Sequence, residues 1–203
     1  MEFQFFGVNC LRITTKKTNI VVDDNLAELG LKPVIKDGDV VLYTGSAQPS
    51  TSKDIKLLVV QPGDYEVSDV QIQGIPARAY KGESNTLTNT IFKIEYEDTS
   101  AVVFGNSYPE LTDSQLEMLG EVQVLFIPVG DKDVTLSGSD ALKVIKKIEP
   151  NIVIPTLYSD QETLSEAIKE LSMEPKETVT KYKVKPNTFE EDQATSLVII
   201  ERS

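Results

Sequence analysis

Short runs of β-branched and aromatic residues dominate the first hundred positions of the chain, and Gly, Pro, Asn and Asp separate them. Runs of this kind favour β-strands, because branched and aromatic side chains pack well on a pleated surface. The pattern predicts strands over residues 2–6, 10–14, 19–23, 40–43, 56–60, 70–75, 90–96 and 100–104. Turn residues such as Pro62, Gly63 and Asp64 predict the chain reversals between them. The first half of the chain is therefore predicted to consist mainly of β-strands.

Helical signals first appear beyond residue 110. Thr112 and Gln115 have the spacing of a capping box, which predicts a helix start. An apolar strand is predicted over residues 122–128, and a second helix follows it, in which apolar residues recur at helical spacing. Pro150 ends this helix, because proline cannot donate the next backbone hydrogen bond. With the strand predicted over residues 152–154, these elements form a β-α-β unit.

A third helix is predicted to begin at Ser159 or Asp160 and to give way at Pro175. Strands over residues 178–184 and 196–201 follow it. The chain contains no internal repeat, no low-complexity tract and no convincing linker. A single domain is therefore predicted for the whole chain.

The chain contains no His and only one Cys, Cys10. The absence of His excludes the Ser-His and Cys-His nucleophile pairs and the His-containing zinc sites, on which many hydrolases depend. The single Cys excludes an internal disulfide. Any catalysis must therefore use carboxylates, Lys, Tyr, Ser, Thr, Asn or backbone groups.

The 32 acidic residues outnumber the 20 basic ones, which gives a net charge of −12. An acidic surface repels phosphate backbones and anionic membranes, so neither nucleic acid nor a membrane is predicted as a partner. The N-terminal residues lack the basic and apolar regions of a signal peptide, and no stretch approaches the ~18 apolar residues of a membrane span. A cytoplasmic location is predicted, and the oligomeric state is left open.

Several local strings occur in the order in which one known family carries them. They lie within residues 5–10, 20–24, 40–50, 75–81, 103–107, 126–130, 135–141 and 150–158. One of them, Val103-Phe104-Gly105-Asn106-Ser107, stands where the family has Gly-Asp-Thr. Together the strings resemble the metallo-β-lactamase fold, and more narrowly its UlaG-like branch of small metal-dependent hydrolases. The resemblance covers about residues 1–160.

The resemblance implies an α/β (α+β) fold, a metallo-β-lactamase-like αββα sandwich in which two β-sheets pack face to face with helices outside. Residues 161–203 would then supply a C-terminal helix and two strands that complete a single domain over residues 1–203. Enzymes of this family use a zinc or manganese pair to lower the pKa of a bridging water and to stabilise developing charge.

The family's metal ligands are His and Asp residues, and the resemblance carries their positions onto Val8, Gly45, Ala47, Pro49, Ser50, Lys81, Asn106 and Leu157. Gly, Ala, Pro, Val and Leu side chains have no donor atom for a metal. Lys81 would place a positive charge where a cation sits. The resemblance therefore predicts no metal ligand, no cofactor and no catalytic residue of the family type, with Val8 and Leu157 filling the vacated space.

A residual pocket is predicted at the same place, from Asp23, Gly45, Ser46, Ser50, Lys81, Asn106, Ser107 and Leu157. Backbone N–H groups and hydroxyls in the loop over residues 45–50 would hold a small anion there. Lys81 and Arg78 would supply positive charge. The alternatives are an ordinary polar turn after a buried strand and two solvent-exposed basic residues.

Three further features each have two interpretations. Asp23 and Asp24 either cap turns or form an oxygen-only site for Mg²⁺ or Ca²⁺. Cys10 lies in a predicted strand, where a buried apolar role is favoured over a nucleophilic one. The lysines of residues 181–185 either protect an exposed strand edge or bind a partner.

The sequence thus predicts a degenerate, metal-free and non-catalytic protein that binds a small anion or a protein partner, or serves as a scaffold. The alternative is a hydrolase of the same superfamily that acts on an ester, lactone or phosphodiester by a mechanism without His.

Overall fold

Two β-sheets packed face to face form the centre of the computed structural model, which describes residues 1–45, 54–83, 86–130, 133–186, 188–189 and 193–203. Within these residues the small sheet contains β1 (Glu2–Gly7), β2 (Cys10–Thr14), β3 (Asn19–Val22), β4 (Val40–Leu42), β5 (Leu57–Val59) and β13 (Tyr182–Lys183). The large sheet contains β6 (Gly63–Val67), β7 (Val70–Ala77), β8 (Asn89–Tyr96), β9 (Thr99–Val103), β10 (Val124–Pro128), β11 (Ile152–Thr156), β12 (Pro175–Val179) and β14 (Ser196–Ile200). The helices of the described residues are α1 (Asp113–Leu119), α2 (Gly138–Ile148) and α3 (Gln161–Leu171).

The strand order is β13-β1-β2-β3-β4-β5 in the small sheet and β12-β14-β11-β10-β9-β8-β7-β6 in the large sheet. Strands β3, β4 and β5 are parallel, and so are β9, β10, β11, β14 and β12. Each sheet therefore presents the carboxyl ends of several parallel strands at one edge, which is where α/β proteins commonly place their sites.

Side chains from the facing surfaces of both sheets form the main core. Along β10 the buried Phe126 faces this core, whereas its neighbours Leu125 and Ile127 face the helices, as the period of two along a strand requires. Phe126 meets Phe3 of the small sheet edge to face, with ring centroids 5.2 Å apart. The two sheets are thus held together by interdigitated apolar side chains.

Apolar faces of α2 and α3 pack on the outer surface of the large sheet. Two helices begin where the sequence predicts, because Thr112 and Gln115 form a complete capping box before α1 and Asp160 caps α3. Ser137 caps α2, whose start was not predicted. The outer surface of the small sheet is covered instead by a 3₁₀ turn, Leu26–Leu29, whose Leu26 contacts Cys10 and Val21.

The predicted sandwich of two sheets with helices outside is confirmed. Two local predictions were wrong. The turn predicted at Pro62, Gly63 and Asp64 contains the start of a strand, because Gly63–Val67 pairs with β7 along a hairpin. The single strand predicted over residues 178–184 is divided between β12 and β13, since the chain leaves one sheet here and joins the edge of the other. Within the described residues, no helix is long and apolar enough to cross a membrane.

Candidate functional site

Residues that directly follow β3, β4 and β9 meet the end of β11 at one edge of the sandwich. Asp23, Thr44 and Thr156 reach this edge, and Asn9 joins them from the turn between β1 and β2. These four residues are called the strand-end network below. All four are buried, with exposures of 6% for Asn9 and Asp23, 4% for Thr44 and zero for Thr156.

The Asp23 carboxylate accepts three hydrogen bonds at the centre of this network. The Thr44 backbone N–H donates to Oδ1 at 2.7 Å, and the Thr44 hydroxyl donates to Oδ2 at 2.6 Å. The Asn9 amide nitrogen donates to Oδ2 at 2.5 Å. Both carboxylate oxygens therefore have protein donors.

Asn9 also connects the two sheets. Its amide oxygen accepts a hydrogen bond of 2.8 Å from the hydroxyl of Thr156, which lies in the large sheet. Beside it, the backbone N–H of Leu157 donates to the carbonyl of Val8 at 2.5 Å. The network thus joins the end of β11 to the small sheet.

Burial raises the pKa of Asp23, and this effect outweighs the hydrogen bonds from Thr44 and Asn9, which lower it. The carboxyl therefore holds its proton to a higher pH than an exposed Asp does. No guanidinium or ammonium group is among the causes of this shift.

Gly105 brings the segment after β9 against the same network. Its φ is +60°, and a Cβ built on it would lie 2.6 Å from the Cβ and the hydroxyl oxygen of Thr44. Only a residue without a side chain fits this approach. Close by, the Thr44 carbonyl accepts a hydrogen bond of 2.7 Å from the backbone N–H of Thr90.

The structure engages Asn106 and Ser107 in internal hydrogen bonds. Asn106 accepts from the Thr135 hydroxyl at 2.8 Å and donates to the Val134 carbonyl at 3.0 Å. Ser107 is fully buried, and its hydroxyl accepts from Asn89 at 3.2 Å. These side chains therefore connect loops of the protein. The predicted pocket instead required them as free donors for an anion.

The loop predicted to hold an anion is only partly described. Gly45 is partly buried, and a Cβ on it would lie 3.3 Å from the side-chain oxygen of Asn89. Ser46 and Ser50, like Ala47 and Pro49, lie outside the described residues.

Left-handed backbone marks three positions at the strand ends. The φ angles are +54° at Val8, +49° at Asp23 and +61° at Leu157. Positive φ is a genuine outlier for a β-branched residue such as Val8. Val8 and Leu157 are also partly exposed, so they line this edge without being buried fillers of it. The left-handed conformation at Val8 and Leu157 therefore costs conformational energy, which the surrounding structure must offset.

Asp24 and Cys10 lie behind the network. Asp24 Oδ2 accepts hydrogen bonds from the backbone N–H groups of Val34 and Ile35 at 2.7 and 2.8 Å, so this carboxylate fastens a loop ten residues further along the chain. Cys10 is buried, and burial raises the pKa of its thiol well above the ordinary value, with Asp24 and Asp23 adding to the effect. A thiol in this environment stays protonated and is a poor nucleophile.

Lys81 lines an open cleft to which no residue of the strand-end network contributes. It is exposed, and its Nζ is 3.9 Å from Asp133 Oδ1. The cleft has a volume of about 720 Å³ and is called the basic cleft below. Its lining includes Lys81, Lys143 and Lys147, the tyrosines Tyr80 and Tyr108, and the carboxylates Glu110 and Asp140.

The sequence indicated Asp23 at the site but not its partner Asn9, nor Thr156, which donates a hydrogen bond to Asn9. The signal available was a polar residue at a chain reversal and another at the end of an apolar strand. Reasoning from sequence also missed Lys143 and Lys147, whose spacing on a predicted helix puts them on one face.

The comparisons with known proteins agree with this architecture. A model of the beta-lactamase superfamily domain matches residues 2–157. The chain belongs to the beta-lactamase superfamily. A comparison with curated protein sequences gives no match.

Solved structures of the metallo-beta-lactamase superfamily have the same fold. A Thermotoga maritima protein assigned to its Zn-dependent hydrolases is 22% identical, with a TM-score of 0.75 over 98% of each chain. A Parabacteroides distasonis protein assigned as a metal-dependent hydrolase is 16% identical, with a TM-score of 0.69 over 99% of this chain and 93% of that one. The metallo-beta-lactamase fold protein YhfI from Bacillus subtilis is 10% identical, with a TM-score of 0.62 over 100% and 96% of the two chains.

The donor groups of this superfamily member do not fit a hydrolytic metal pair. Such centres need several His and carboxylate ligands converging from strand ends, and the chain has no His. The carboxylate that does lie at the strand ends, Asp23, is engaged by Thr44 and Asn9. In the portion of the chain that the structure describes, no group of three or more His, Cys, Asp or Glu residues could hold a metal ion.

Proposed function

We propose that this chain is a metal-free, non-catalytic member of the beta-lactamase superfamily, a single domain that binds a ligand instead of hydrolysing one. The observation that carries the proposal is the engagement of both carboxylate oxygens of Asp23 by donors of the protein itself. Both oxygens of this buried carboxylate accept hydrogen bonds from the protein, three in all at 2.5 to 2.7 Å, so the group holds the sandwich edge together.

Hydrolysis needs a group that activates water near neutral pH. Without His or a metal, that group would have to be a carboxylate, a Lys, a Tyr or a thiolate. Asp23 is buried within its own hydrogen bonds, and Cys10 is held protonated by burial. Neither group supports a water-activating role, so binding without turnover is the function that this site supports best.

The test is metal analysis combined with a substrate panel, on protein purified without a His tag. We expect no stoichiometric zinc, manganese or iron, and no turnover of esters, lactones or phosphodiesters. Excess chelator should leave the melting temperature unchanged, because a metal bound only to the folded state would have stabilised it.

An activity control separates a contaminant from a true site. Turnover that copurifies with the chain and is lost in Asp23→Asn would overturn the proposal and favour a hydrolase that works without His. One metal ion per chain, retained after dialysis against chelator, would overturn it as well.

A further inference from the structure

The basic cleft lies between three segments that the fold brings together. Tyr80 and Lys81 follow β7, Tyr108 follows β9, and α2 forms the third wall. Its volume of about 720 Å³ lies within the range of about 300–1,000 Å³ that is usual for small-molecule sites. The cleft is therefore large enough for a ligand of the size of a nucleotide or a sugar phosphate.

Positive charge enters this cleft from two sides. Lys143 and Lys147 are four residues apart on α2, so they lie on the same helix face. Lys81 comes from the segment after β7. The lining carboxylates are Glu110 and Asp140, and the latter is paired with Lys143 at 2.8 Å. The lining therefore carries three ammonium groups and two carboxylates, with Asp133 beside Lys81 outside the lining, in a chain whose net charge is −12.

Lys147 differs from the other two lysines. Among the described residues it forms no ion pair, whereas Lys81 and Lys143 each lie within 4 Å of a carboxylate. An ammonium group without a protein carboxylate partner, facing a concave surface, is available to an anionic ligand.

An aromatic wall completes the cleft. The guanidinium of Arg78 lies over the Tyr108 ring, 3.2 Å from its centroid, and the Tyr108 backbone N–H donates to the Arg78 carbonyl at 2.8 Å. The hydrogen bond holds the backbone of Tyr108, and the guanidinium of Arg78, which does not itself line the cleft, covers one face of the ring. A planar ring in a ligand can stack on such a side chain.

We propose that the basic cleft binds a soluble phosphate monoester that carries a planar ring, with the phosphate between Lys81 and the lysines of α2 and the ring against Tyr108. This inference names the ligand class for the binding role proposed above and rests on it. A phosphate dianion matches lysines that converge from two elements better than a carboxylate does, because its two charges can meet both sides. A long polyanion or an anionic membrane would instead meet the repulsion of the acidic surface.

Isothermal titration at low ionic strength tests the proposal with phenyl phosphate and adenosine 5′-monophosphate as probes. We expect at least one of them to bind more tightly than inorganic phosphate and more tightly than phenol, since only the combined molecule engages both walls. Lys147→Ala should weaken that probe about tenfold, the loss of one charge-assisted contact.

Two variants make the test specific. Lys146→Ala removes the neighbouring exposed lysine of the same helix turn, which does not line the cleft, and should leave the affinity unchanged. Glu110→Gln removes a negative charge from the lining and should tighten binding about threefold. Equal effects of Lys146→Ala and Lys147→Ala, or weaker binding in Glu110→Gln, would overturn the proposal.

Further outcomes separate this inference from the proposed function. If neither probe binds better than inorganic phosphate and no turnover is seen, the cleft assignment is wrong and the non-catalytic role stands. If a probe binds through Lys147 and releases phosphate, the cleft assignment holds and the non-catalytic role is wrong. Preference for vesicles of phosphatidic acid over both soluble probes would overturn the assignment of a soluble ligand.

Discussion

The strand-end network and the basic cleft are both polar, but their polar groups differ in what they contact. In the network, the buried carboxylate of Asp23 accepts hydrogen bonds from Asn9 and Thr44. In the cleft, Lys81 and Lys147 are exposed on a concave surface. Polar residues that are satisfied internally stabilise the fold, whereas polar residues left at a concave surface can bind a ligand.

This difference separates fold from function within one molecule. At the edge where superfamily members would be expected to carry out chemistry, a hydrogen bond between Asn9 and Thr156 joins the two sheets. The groups able to contact a ligand lie beside it, on loops and on α2. Substitutions in the network should therefore change stability, and substitutions in the cleft should change binding.

Removal of the central carboxylate tests the comparison most strongly. Asp23→Ala leaves the Thr44 N–H, the Thr44 hydroxyl and the Asn9 amide without an acceptor. We expect the free energy of unfolding to fall by about 4 kcal/mol, because buried donors without partners are costly. Urea unfolding measures it, and Lys147→Ala, as the control from the cleft, should change stability by less than about 0.5 kcal/mol. Similar losses in the two variants would remove the distinction between the regions.

The close approach of Gly105 to Thr44 gives the next largest effect. Gly105→Ala places a methyl group 2.6 Å from Thr44 at a φ of +60°, so both crowding and backbone strain oppose it. We expect a loss of about 3 kcal/mol in urea unfolding. Gly30→Ala is the matched control, since Gly30 has a φ of +69° with no atom within 4 Å of the added group. The free energy of unfolding of the control should fall by only about 1 kcal/mol. Equal losses in the two variants would show that Thr44 moves aside at little cost.

The raised pKa of Asp23 predicts a pH dependence of stability. Because the folded carboxyl keeps its proton to a higher pH than the unfolded one, unfolding releases a proton between the two pKa values. The stabilising contribution is complete below the unfolded pKa of about 3.9 and is lost as pH rises through the raised folded value. Unfolding of the parent and of Asp23→Asn, followed from pH 4 to pH 8, should show the parent losing stability relative to the variant. A relative gain with rising pH would contradict the direction of the shift.

The smallest expected effect is a gain in stability. Val8 adopts a φ of +54°, which is strained for a β-branched residue, and its side chain is partly exposed. Val8→Gly removes the backbone strain, which stabilises the folded state. It also removes some apolar contact and raises the conformational entropy of the unfolded chain, and both effects are destabilising. We expect a net gain of about 0.5 kcal/mol in the free energy of unfolding. Thermal unfolding measures it, with Val8→Ala between the two. A loss above 1 kcal/mol would show that the Val8 side chain packs more firmly than its exposure indicates.

Much of the fold could be predicted because its signals are local. The capping box of Thr112 and Gln115 and the proline after α2 each define a boundary from a few adjacent residues. The division of residues 178–184 between two sheets could not be predicted, because a strand run does not encode which sheet edge each part will meet. The hairpin strand β6 was hidden for a similar reason, since pairing with β7 overrides the turn propensity of Gly63 and Asp64.

The site was less predictable than the fold because its contacts are long-range. The family resemblance led to Asp23, but nothing near Asn9 in sequence indicates that it accepts a hydrogen bond from Thr156. Asn106 and Ser107 were assigned to an open pocket, whereas the fold engages Asn106 with Thr135 and buries Ser107 against Asn89. Residue types at the strand ends thus indicated where the site lies, but they did not indicate which side chains form hydrogen bonds with one another there.

The hydrogen bond between Asn9 and Thr156 also has a consequence for the order in which the chain acquires its structure. The two residues are separated by 147 positions, and Thr156 is among the later residues of a 203-residue chain. On a ribosome, Asp23 could find Asn9 and Thr44 early, but the link to β11 must wait until residue 156 has emerged. Because contacts between distant positions carry a large loop-closure cost, the docking of one sheet on the other should be a late and slow event in folding. Until then the apolar inner faces of the strands stay open to misassociation, which makes the nascent chain dependent on rapid completion.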